Sequence, residues 1–248
     1  MTSETSVSEE ASGERSEPRA DHTETDVLVV GSGIAGLASA LAAAREGADV
    51  TVATKATRPE GASSWWAQGG IAIARDDPEQ FKRDILDASS GTADPDAVDV
   101  LVENANAAVE DVLLETLDIE FDTVAESAKV DDGGTGTDAG DEFAYAREAA
   151  HSESRILHVN ASTGRYVLPP LLSHLADHDR VTIEQDTAAL ELVTHEGRVH
   201  GAVLERDGEF APTFAGATVL ATGGIGACYP RTTNPEGSTG DGVAMAAL

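Results

Sequence analysis

The residues best suited to chemistry in this sequence form a glycine-rich run near its beginning, with the spacing G-x-G-x-x-G. At this spacing the first glycine permits a tight turn, the second lets the backbone approach a pyrophosphate, and the third lets a helix pack closely against a strand. Backbone N–H groups at the start of that helix can then hold phosphate oxygens. The run predicts a dinucleotide-binding site, and a glycine-rich turn without a ligand is the alternative. Its residues are Gly31, Ser32, Gly33, Ile34, Ala35 and Gly36.

The position that normally contacts a ribose departs from the usual dinucleotide-binding pattern. A carboxylate is expected about 20 residues after the glycines, at the end of the second strand. This strand ends instead in Ala53, Thr54 and Lys55. Lys55 could pair with the 2′-phosphate of NADP, or it could reach an adenosine or phosphate oxygen of FAD. An exposed lysine with no ligand is the third alternative.

Two further segments favour FAD. Residues 63–70 supply hydroxyls, an amide and paired glycines, which suit the lining of a flavin ring, although the two tryptophans could instead be core residues. Residues 217–224 form an apolar strand that ends in Ala-Thr-Gly-Gly, the second recurring signature of flavoproteins with two dinucleotide-binding motifs. A plain strand and turn is the alternative for that segment, but the joint occurrence of both segments in this order predicts FAD. The first segment consists of Ser63, Ser64, Trp65, Trp66, Ala67, Gln68, Gly69 and Gly70.

A strand, a helix and a second strand must position the glycine run. Residues 27–30 are apolar and β-branched and are followed by glycine, which predicts a buried strand. Small residues then predict a helix over 33–45, and residues 50–53 predict the second strand. We therefore expect a doubly wound, Rossmann-like α/β FAD-binding domain with three layers and a parallel or mixed sheet. Its ligand should lie at the carboxyl ends of the strands.

The rest of the chain predicts more elements of the same architecture. Helices are expected over 78–88, 94–117 and 162–177, and strands over 181–185, 188–194, 199–206 and 215–221. In the second of these helices the core face should consist of Val98, Leu101, Val102, Ala105, Val109, Val112, Leu113 and Leu117. Glycine and aspartate over 131–141 predict a surface loop. Its aspartates lack the EF-hand spacing and closing glutamate, so no metal site is expected.

The amino-acid composition divides the chain into two parts and excludes two classes of binding partner. Residues 1–24 have almost no apolar side chain, which predicts a disordered acidic arm before an FAD-binding domain over 25–248. The formal net charge is −29, with three lysines against thirteen arginines. Such a field repels nucleic acid and anionic membranes, so neither is an expected partner, and few lysines among many carboxylates predict a halophilic source. One cysteine, Cys228, and the lack of a signal peptide or long apolar segment predict a cytoplasmic location.

Five motifs together resemble the L-aspartate oxidase branch of the succinate dehydrogenase and fumarate reductase flavoprotein superfamily. They are GSGIAG, SSWWAQGG, AREAAHSESRILHVNASTGR, VLATGG and TTNPEGSTGDGVAMA, and the resemblance covers residues 26–248. It implies FAD as the cofactor. The respiratory dehydrogenases of this superfamily bind flavin covalently through a histidine, and Ser63 stands at the matching position here. A non-covalent FAD is therefore expected.

The resemblance also assigns roles to individual residues. Glu148 matches a glutamate that lies beside the substrate and helps to select its amino-acid form, although from the residues alone Glu148 and His151 could be a solvated pair. The family usually has two glycines after this glutamate, where this chain has Ala149 and Ala150, so the shape of the loop could differ. The implied FAD contacts are residues 32–35, Lys55, residues 63–70, Ala188 and Asp241.

The activity implied by the resemblance is oxidation of L-aspartate to iminoaspartate, the opening step of NAD biosynthesis by way of quinolinate. Oxygen or fumarate would accept the electrons, and a functional link to quinolinate synthase would be possible. A flavoprotein that interconverts succinate and fumarate is the alternative enzyme. A flavin-binding fragment without catalytic activity is the alternative of another class.

In the resembling family the capping domain, the C-terminal helical domain and the catalytic side chains all lie beyond the position that matches Leu248. We therefore expect no catalytic residue within this chain, and a 248-residue chain by itself should oxidise little or no L-aspartate. The nearest candidates in chemical type are interpreted as surface or packing groups. They are His151, Arg155, His158 and His174.

Overall fold

A mixed six-stranded sheet forms the centre of the fold in the computed structural model, which describes residues 22–127 and 142–248. The first four strands in spatial order are mutually parallel, and the last two continue the sheet in antiparallel fashion. In that order they are β6 (Val181–Glu184), β2 (Val50–Ala53), β1 (Thr23–Val30), β9 (Glu209–Leu220), β8 (Arg198–Arg206) and β7 (Ala188–His195). This is the mixed α/β architecture that the sequence predicts.

Helices cover both faces of this sheet. On one face α1 (Ile34–Arg45) and α5 (Thr163–Ala176) pack against the apolar residues of β1 and β2. On the other face residues of β1 pack with β8, β9 and Met245 of α6 (Asp241–Ala247). The alternation of apolar residues in β1 explains the two cores, because Val29 contributes to the first and Leu28 and Val30 to the second.

A second, smaller sheet lies beside the first and is built from two-residue strands. Its order is β3 (Ile71–Ala72), β5 (Ile156–Leu157) and β4 (Tyr145–Ala146), all antiparallel. Between β3 and β4 the chain forms α2 (Pro78–Ala88) and α3 (Pro95–Ala108). A π-helix (Val109–Thr116) follows α3, and the short α4 (Val124–Ser127) comes next.

Capping residues fix where α2 and α3 begin. The side chain of Asp77 accepts a hydrogen bond from the Gln80 N–H, and that of Asp94 accepts one from the Asp96 N–H. Each aspartate is followed by proline, which suits the first position of a helix because it has no N–H to satisfy there. The start of α2 at Pro78 and its end at Ala88 match the predicted boundaries.

Two of the predicted strands differ from the structure in detail. β1 begins at Thr23, inside the range expected for the acidic arm, because Thr23 and Glu24 pair with Thr213 and Phe214 of β9. β9 itself begins at Glu209 rather than at residue 215, as the second strand of a hairpin with β8. Residues 1–21 of the arm and the loop expected over 131–141 lie outside the described residues.

The expected helix over 94–117 is a compound element, and its predicted core face is partly wrong. Val98, Val102, Val109 and Leu113 are buried, but Leu101 is 56% exposed. In a helix with 3.6 residues per turn, Val98 and Val102 define the centre of the buried stripe and Leu101 lies at its margin. No helix in the described ranges has the length and apolar character needed to cross a membrane.

Candidate functional site

A cavity of about 1070 Å³ opens at the carboxyl ends of β1, β2 and β9. Parallel α/β sheets characteristically bind ligands at this edge. The wall is formed by the glycine run, the end of β2, residues 61–64, the exit of β9, and residues 236–247. Site residues predicted from the sequence that line it are Gly31, Ser32, Gly33, Ile34, Ala35, Lys55, Ser63, Ser64 and Asp241.

Each of the three glycines of the run is needed at its position for a different structural reason. Gly31 has φ +111°, and a Cβ there would lie 2.3 Å from the Ala221 carbonyl oxygen. A Cβ on Gly36 would lie 2.0 Å from the Gly31 carbonyl oxygen. A Cβ on Gly33 would meet only Ser64 Oγ, at 3.4 Å. Gly31 and Gly36 are therefore required for the chain to fold back on itself, whereas Gly33 keeps open the approach to the cavity.

The N-terminus of α1 faces this cavity. Gly33 is its N-cap and has no side chain to satisfy the first N–H groups, and Ser64 Oγ accepts a hydrogen bond from Ile34 N at 3.1 Å. Ser32 Oγ and Thr54 Oγ1 are 2.9 Å apart, which joins the glycine run to the end of β2. A helix N-terminus carries a partial positive charge, so this wall suits a pyrophosphate.

Lys55 is held across the cavity by the first residue of α6 and by Thr239, just before that helix. Its Nζ donates to Asp241 Oδ2 and to Thr239 Oγ1, both at 2.5 Å. Burial raises the pKa of Asp241, but the hydrogen bonds from Lys55 and Thr239 outweigh it and hold this pKa below its ordinary value. A further contact of 3.1 Å joins Ser63 Oγ to Ser238 Oγ. Lys55 is therefore an ion-paired part of the cavity wall and not an isolated surface lysine.

The two tryptophans after β2 contact the protein and do not line this cavity. They belong to a 3-10 helix, Ser63–Trp66, in which Trp65 packs against the core formed by α1, β2 and α5. Trp66 is half-exposed and its indole N–H donates to the Glu60 carbonyl at 2.9 Å. The Arg165 guanidinium lies 5.8 Å from the Trp65 ring and 5.6 Å from the Trp66 ring. The core alternative therefore accounts for Trp65, and flavin contact by either ring stays a prediction.

Glu148 lies beside the last part of the same sequence segment. A Cβ on Gly69 would lie 3.0 Å from Glu148 Oε1, and Gly70 has φ +123° with its Cβ position 2.2 Å from the Leu157 carbonyl oxygen. The two glycines thus let residues 67–70 pass closely beneath β5 and the Glu148 carboxylate. Glu148 itself is exposed in the connection between β4 and β5. The structure therefore brings Gly69 and Glu148 together although 79 positions separate them in the chain.

Some predicted site residues do not line the cavity. Ala188 begins β7 and is partly exposed, and its neighbours Thr187 and Ala189 form part of the wall. Gly36, the last residue of the run, is buried in α1, and residues 65–70 follow Ser64 in the chain. FAD contact by these residues stays a prediction. The group consists of Gly36, Trp65, Trp66, Ala67, Gln68, Gly69, Gly70 and Ala188.

Comparison with known proteins assigns the family. The FAD binding domain family matches residues 26–248, nearly the whole chain. The chain belongs to the FAD-binding domain family. FAD is therefore its cofactor, in agreement with the prediction from the glycine run and the strand exit at Ala-Thr-Gly-Gly.

The relatives of this FAD-binding chain include proteins named L-aspartate oxidase. One from Halobacterium salinarum is 60% identical over 236 residues, which is 92% of this chain and 43% of that protein. L-aspartate oxidase 1 from Ralstonia nicotianae is 39% identical, over 89% of this chain and 40% of its own length. The chain thus spans about two-fifths of the length of these relatives. The Halobacterium relative agrees with the halophilic composition.

Solved structures share the same FAD-binding fold. Mycobacterium smegmatis Sdh1 in complex with UQ1 superimposes with a TM-score of 0.79 at 26% identity, over 91% of this chain and 38% of that one. An Escherichia coli quinol fumarate reductase superimposes with a TM-score of 0.77 at 25% identity, over 91% and 37%. These similarities support the superfamily resemblance stated from the motifs.

The cavity suits an FAD in both size and donor chemistry. Its volume lies just above the range of about 300–1000 Å³ that is usual for small-molecule sites. The open space above Gly33 and the positive end of α1 suit the pyrophosphate, and the hydroxyls of Ser32, Ser63 and Ser64 can serve as donors or acceptors. In the part of the chain that the structure describes, no group of three or more His, Cys, Asp or Glu could hold a metal ion.

Sequence reasoning missed several residues of the FAD-binding cavity. Thr222 lies at the exit of β9, and its Oγ1 accepts a hydrogen bond from Gly242 N at 3.1 Å, which fastens α6 to the strand end. Thr187 N donates to the Thr54 carbonyl at 2.9 Å. The Ala-Thr-Gly-Gly signature contains Thr222 and could have identified it. No local signal identifies Thr54 or Thr187, because their role depends on strands that are distant in sequence.

Proposed function

We propose that this protein is the FAD-binding part of an enzyme that oxidises L-aspartate to iminoaspartate. The observation that carries the proposal is the position of the Glu148 carboxylate over Gly69, in the segment that continues from the cavity wall. A carboxylate there suits a substrate that brings an ammonium group to the flavin. The name L-aspartate oxidase of the Halobacterium relative supports the same assignment.

The chain's own residues supply binding and orientation. In this proposal the N-terminus of α1 holds the pyrophosphate, and Lys55 and Asp241 hold the adenosine or phosphate side of the cofactor. The further predicted contacts are the other residues of the run, residues 63–70 and Ala188. Ser63 offers a hydroxyl and no imidazole, so the flavin is held without a covalent bond. Bound FAD supplies the redox chemistry by accepting a hydride from the substrate.

Glu148 supplies the discrimination between substrates in this proposal. L-aspartate and succinate share two carboxylates, and only L-aspartate carries an ammonium group. A carboxylate near that group favours L-aspartate and repels a dicarboxylate without it. In this proposal the cationic side chains that bind the two substrate carboxylates come from other parts of the full-length enzyme.

The same proposal includes the electron acceptors, the pathway and the cellular conditions of the enzyme. Oxygen or fumarate accepts the electrons, and iminoaspartate enters NAD biosynthesis by way of quinolinate synthase. The net charge of −29 suits work at molar salt, where self-repulsion between carboxylates is screened. A single cysteine, Cys228, which is exposed and unpaired with another cysteine, suits a reducing cytoplasm.

The test uses the full-length gene product, purified in molar KCl. Peroxide release is measured with L-aspartate and with succinate, and fumarate is offered as an alternative acceptor without oxygen. We expect turnover with L-aspartate, loss of preference in Glu148→Gln, and no change in the control Glu191→Gln, whose side chain is exposed on β7. Acid precipitation should release all the flavin into the supernatant.

Other outcomes would contradict parts of the proposal. Faster turnover of succinate than of L-aspartate would assign the protein to succinate or fumarate chemistry. Retained flavin without turnover of either acid would indicate a flavin-binding protein that is not catalytic. Flavin that stays with the precipitate would contradict the non-covalent assignment.

A further inference from the structure

The turn that carries Glu148 is fastened to a carboxylate from a distant helix. We use the name Glu148 turn for residues 147–155, which connect β4 to β5. Asp84 of α2 accepts two hydrogen bonds from Ser152, from its N–H and from its hydroxyl, both at 2.9 Å. Arg155 Nη2 lies 3.1 Å from the same Asp84 oxygen, Oδ2. One carboxylate oxygen thus binds the turn at two of its residues.

The ion pair between Asp84 and Arg155 is buried. Arg155 is fully buried, and Asp84 is 8% exposed. Burial raises the pKa of Asp84, but the hydrogen bonds from Ser152 and Gln80 and the charge of Arg155 outweigh it and hold this pKa below its ordinary value. Asp84 is therefore ionised at neutral pH. The Arg155 guanidinium also lies over the Phe81 ring, 4.7 Å from its centroid, so α2 contributes both an ionic and an aromatic contact.

Backbone hydrogen bonds carry this constraint to Glu148. Arg155 N donates to the Ala146 carbonyl at 3.1 Å and closes the base of the turn. His151 N donates to the Glu148 carbonyl at 3.2 Å, and His151 is the residue before Ser152. The backbone between Glu148 and His151 passes through Ala150, which has φ +69°. Because this conformation is unfavourable for alanine, the turn needs an external constraint to keep it.

We propose that Asp84 is a positioning residue for substrate discrimination, which holds the Glu148 carboxylate over Gly69 by binding Ser152 and Arg155. This inference rests on the proposed function for its link to L-aspartate. Asp84 is not a catalytic residue, since its contacts are with the turn. Without it the turn relaxes, and Glu148 spends less time where an ammonium group of the substrate can reach it.

The first test compares Asp84→Asn and Ser152→Ala with the control Asp111→Asn in the full-length protein. Asp111 is exposed and pairs with Arg45 of α1. For Asp84→Asn we expect KM for L-aspartate to rise about tenfold with kcat within about twofold, the size of one lost charge-assisted hydrogen bond. Ser152→Ala, which keeps the N–H donor and the ion pair, should move KM in the same direction by less. If Asp84→Asn does not fold, Ser152→Ala carries the test.

A second test asks whether Asp84 acts through Glu148. In a Glu148→Gln background, Asp84→Asn should raise KM by less than about twofold, because the two changes remove the same contact with substrate. A full tenfold effect in that background would overturn the proposal, since Asp84 would then act independently of Glu148. An equal effect on KM in the control Asp111→Asn would also overturn it.

A third measurement separates this inference from the proposed function. Amide hydrogen exchange at residues 148–153 should be about tenfold faster in Asp84→Asn than in the wild type, with exchange in α1 unchanged. If the wild-type protein does not oxidise L-aspartate but exchange in the turn is faster in Asp84→Asn, the substrate assignment is wrong and the positioning role of Asp84 is supported. If exchange in the turn is the same in Asp84→Asn as in the wild type, Asp84 does not position Glu148, whatever the substrate is.

Discussion

The cofactor cavity and the Glu148 turn are built in opposite ways. Around the cavity the decisive contacts involve backbone atoms, as where a Cβ on Gly31 or Gly36 would strike a carbonyl oxygen. Around the turn the decisive contacts involve side chains, above all Asp84 with Ser152 and Arg155. The first region depends on the absence of side chains at fixed positions. The second depends on two charges that are buried together.

Because of this difference, we expect the two regions to respond differently to substitutions that add volume and to substitutions that remove a charge. At the glycine contacts of the cavity, added volume should matter more than charge, because the atoms that a Cβ would strike are backbone atoms. A side-chain-built site tolerates changes of volume better than the loss of one charge, because the remaining charge is left buried without its partner. Mutations that separate volume from charge therefore test the comparison directly.

The largest effect is expected from removing one buried charge. Arg155→Met keeps much of the side-chain volume and leaves the Asp84 carboxylate without its cation, which should lower the free energy of unfolding by about 3–5 kcal/mol. The control Arg45→Met removes an exposed ion pair with Asp111 and should cost less than about 1 kcal/mol. Guanidinium denaturation in molar KCl measures both. Equal losses in the two variants would mean that the Arg155 pair behaves as a surface pair.

Glycine replacements should divide the run into residues needed for folding and a residue needed for binding. Gly36→Ala places a methyl group against the Gly31 carbonyl and should cost about 1–3 kcal/mol of stability. Gly33→Val should lose flavin, seen as loss of yellow absorbance on purification. Its loss of stability should be smaller, because a Cβ there would contact only Ser64 Oγ, at 3.4 Å, among the described residues. The comparison fails if Gly33→Val retains flavin while Gly36→Ala unfolds no more easily.

Acid should weaken the turn through Asp84. Its folded-state pKa is below the ordinary 3.8, so its ionised form contributes stability above that pH and loses the contribution as pH falls through the folded-state pKa. The difference in unfolding free energy between wild type and Asp84→Asn should therefore be constant near neutral pH and narrow below about pH 4. Denaturation curves between neutral and acid pH, at constant KCl, measure it. A difference that persists unchanged into strong acid would contradict the assignment.

The smallest expected effect is an increase in stability. Ala150 has φ +69°, a region that costs an L-residue about 1–2 kcal/mol, so Ala150→Gly should stabilise the protein by about 1 kcal/mol. Ala149→Gly, which has no positive φ to relieve, should not stabilise it. Thermal unfolding of the two variants gives the answer. Equal shifts in Tm would show that the conformation of Ala150 carries no strain.

The comparison also explains which parts of the structure could be predicted from the sequence. The glycine run, β1, α1 and β2 follow from local apolar patterns and from the spacing of three glycines, so they were predictable within a few residues. The two-residue strands β3, β4 and β5 are too short for a periodic signal. Asp84 and Arg155 are 71 positions apart, and no pattern in either neighbourhood indicates that they meet. Their pairing depends on how α2 packs beside the small sheet.

The resemblance to a known family identified Glu148 but could not indicate the reason for its geometry. The two glycines that the family usually has after this glutamate are alanines here, which left the loop shape open. The structure gives Ala150 a positive φ, a conformation that glycine adopts without strain. The loop therefore keeps a glycine-like backbone without the glycine, and Asp84 is the feature that can hold it there.

The π-helix after α3 has a consequence for how this half of the molecule tolerates insertions and deletions. Val98 and Val102 of α3 pack with Phe81, whereas Val109 and Leu113 of the π-helix pack with Phe121, in a separate core. A wide turn of this kind accommodates one residue more than an α-helical turn. Loss of one residue there would restore the α-helical repeat and leave the residues beyond it in nearly the same phase, whereas loss of one residue within α3 would rotate everything beyond it by about 100°. The π-helix is therefore the place between the two cores where a single-residue deletion should be tolerated best.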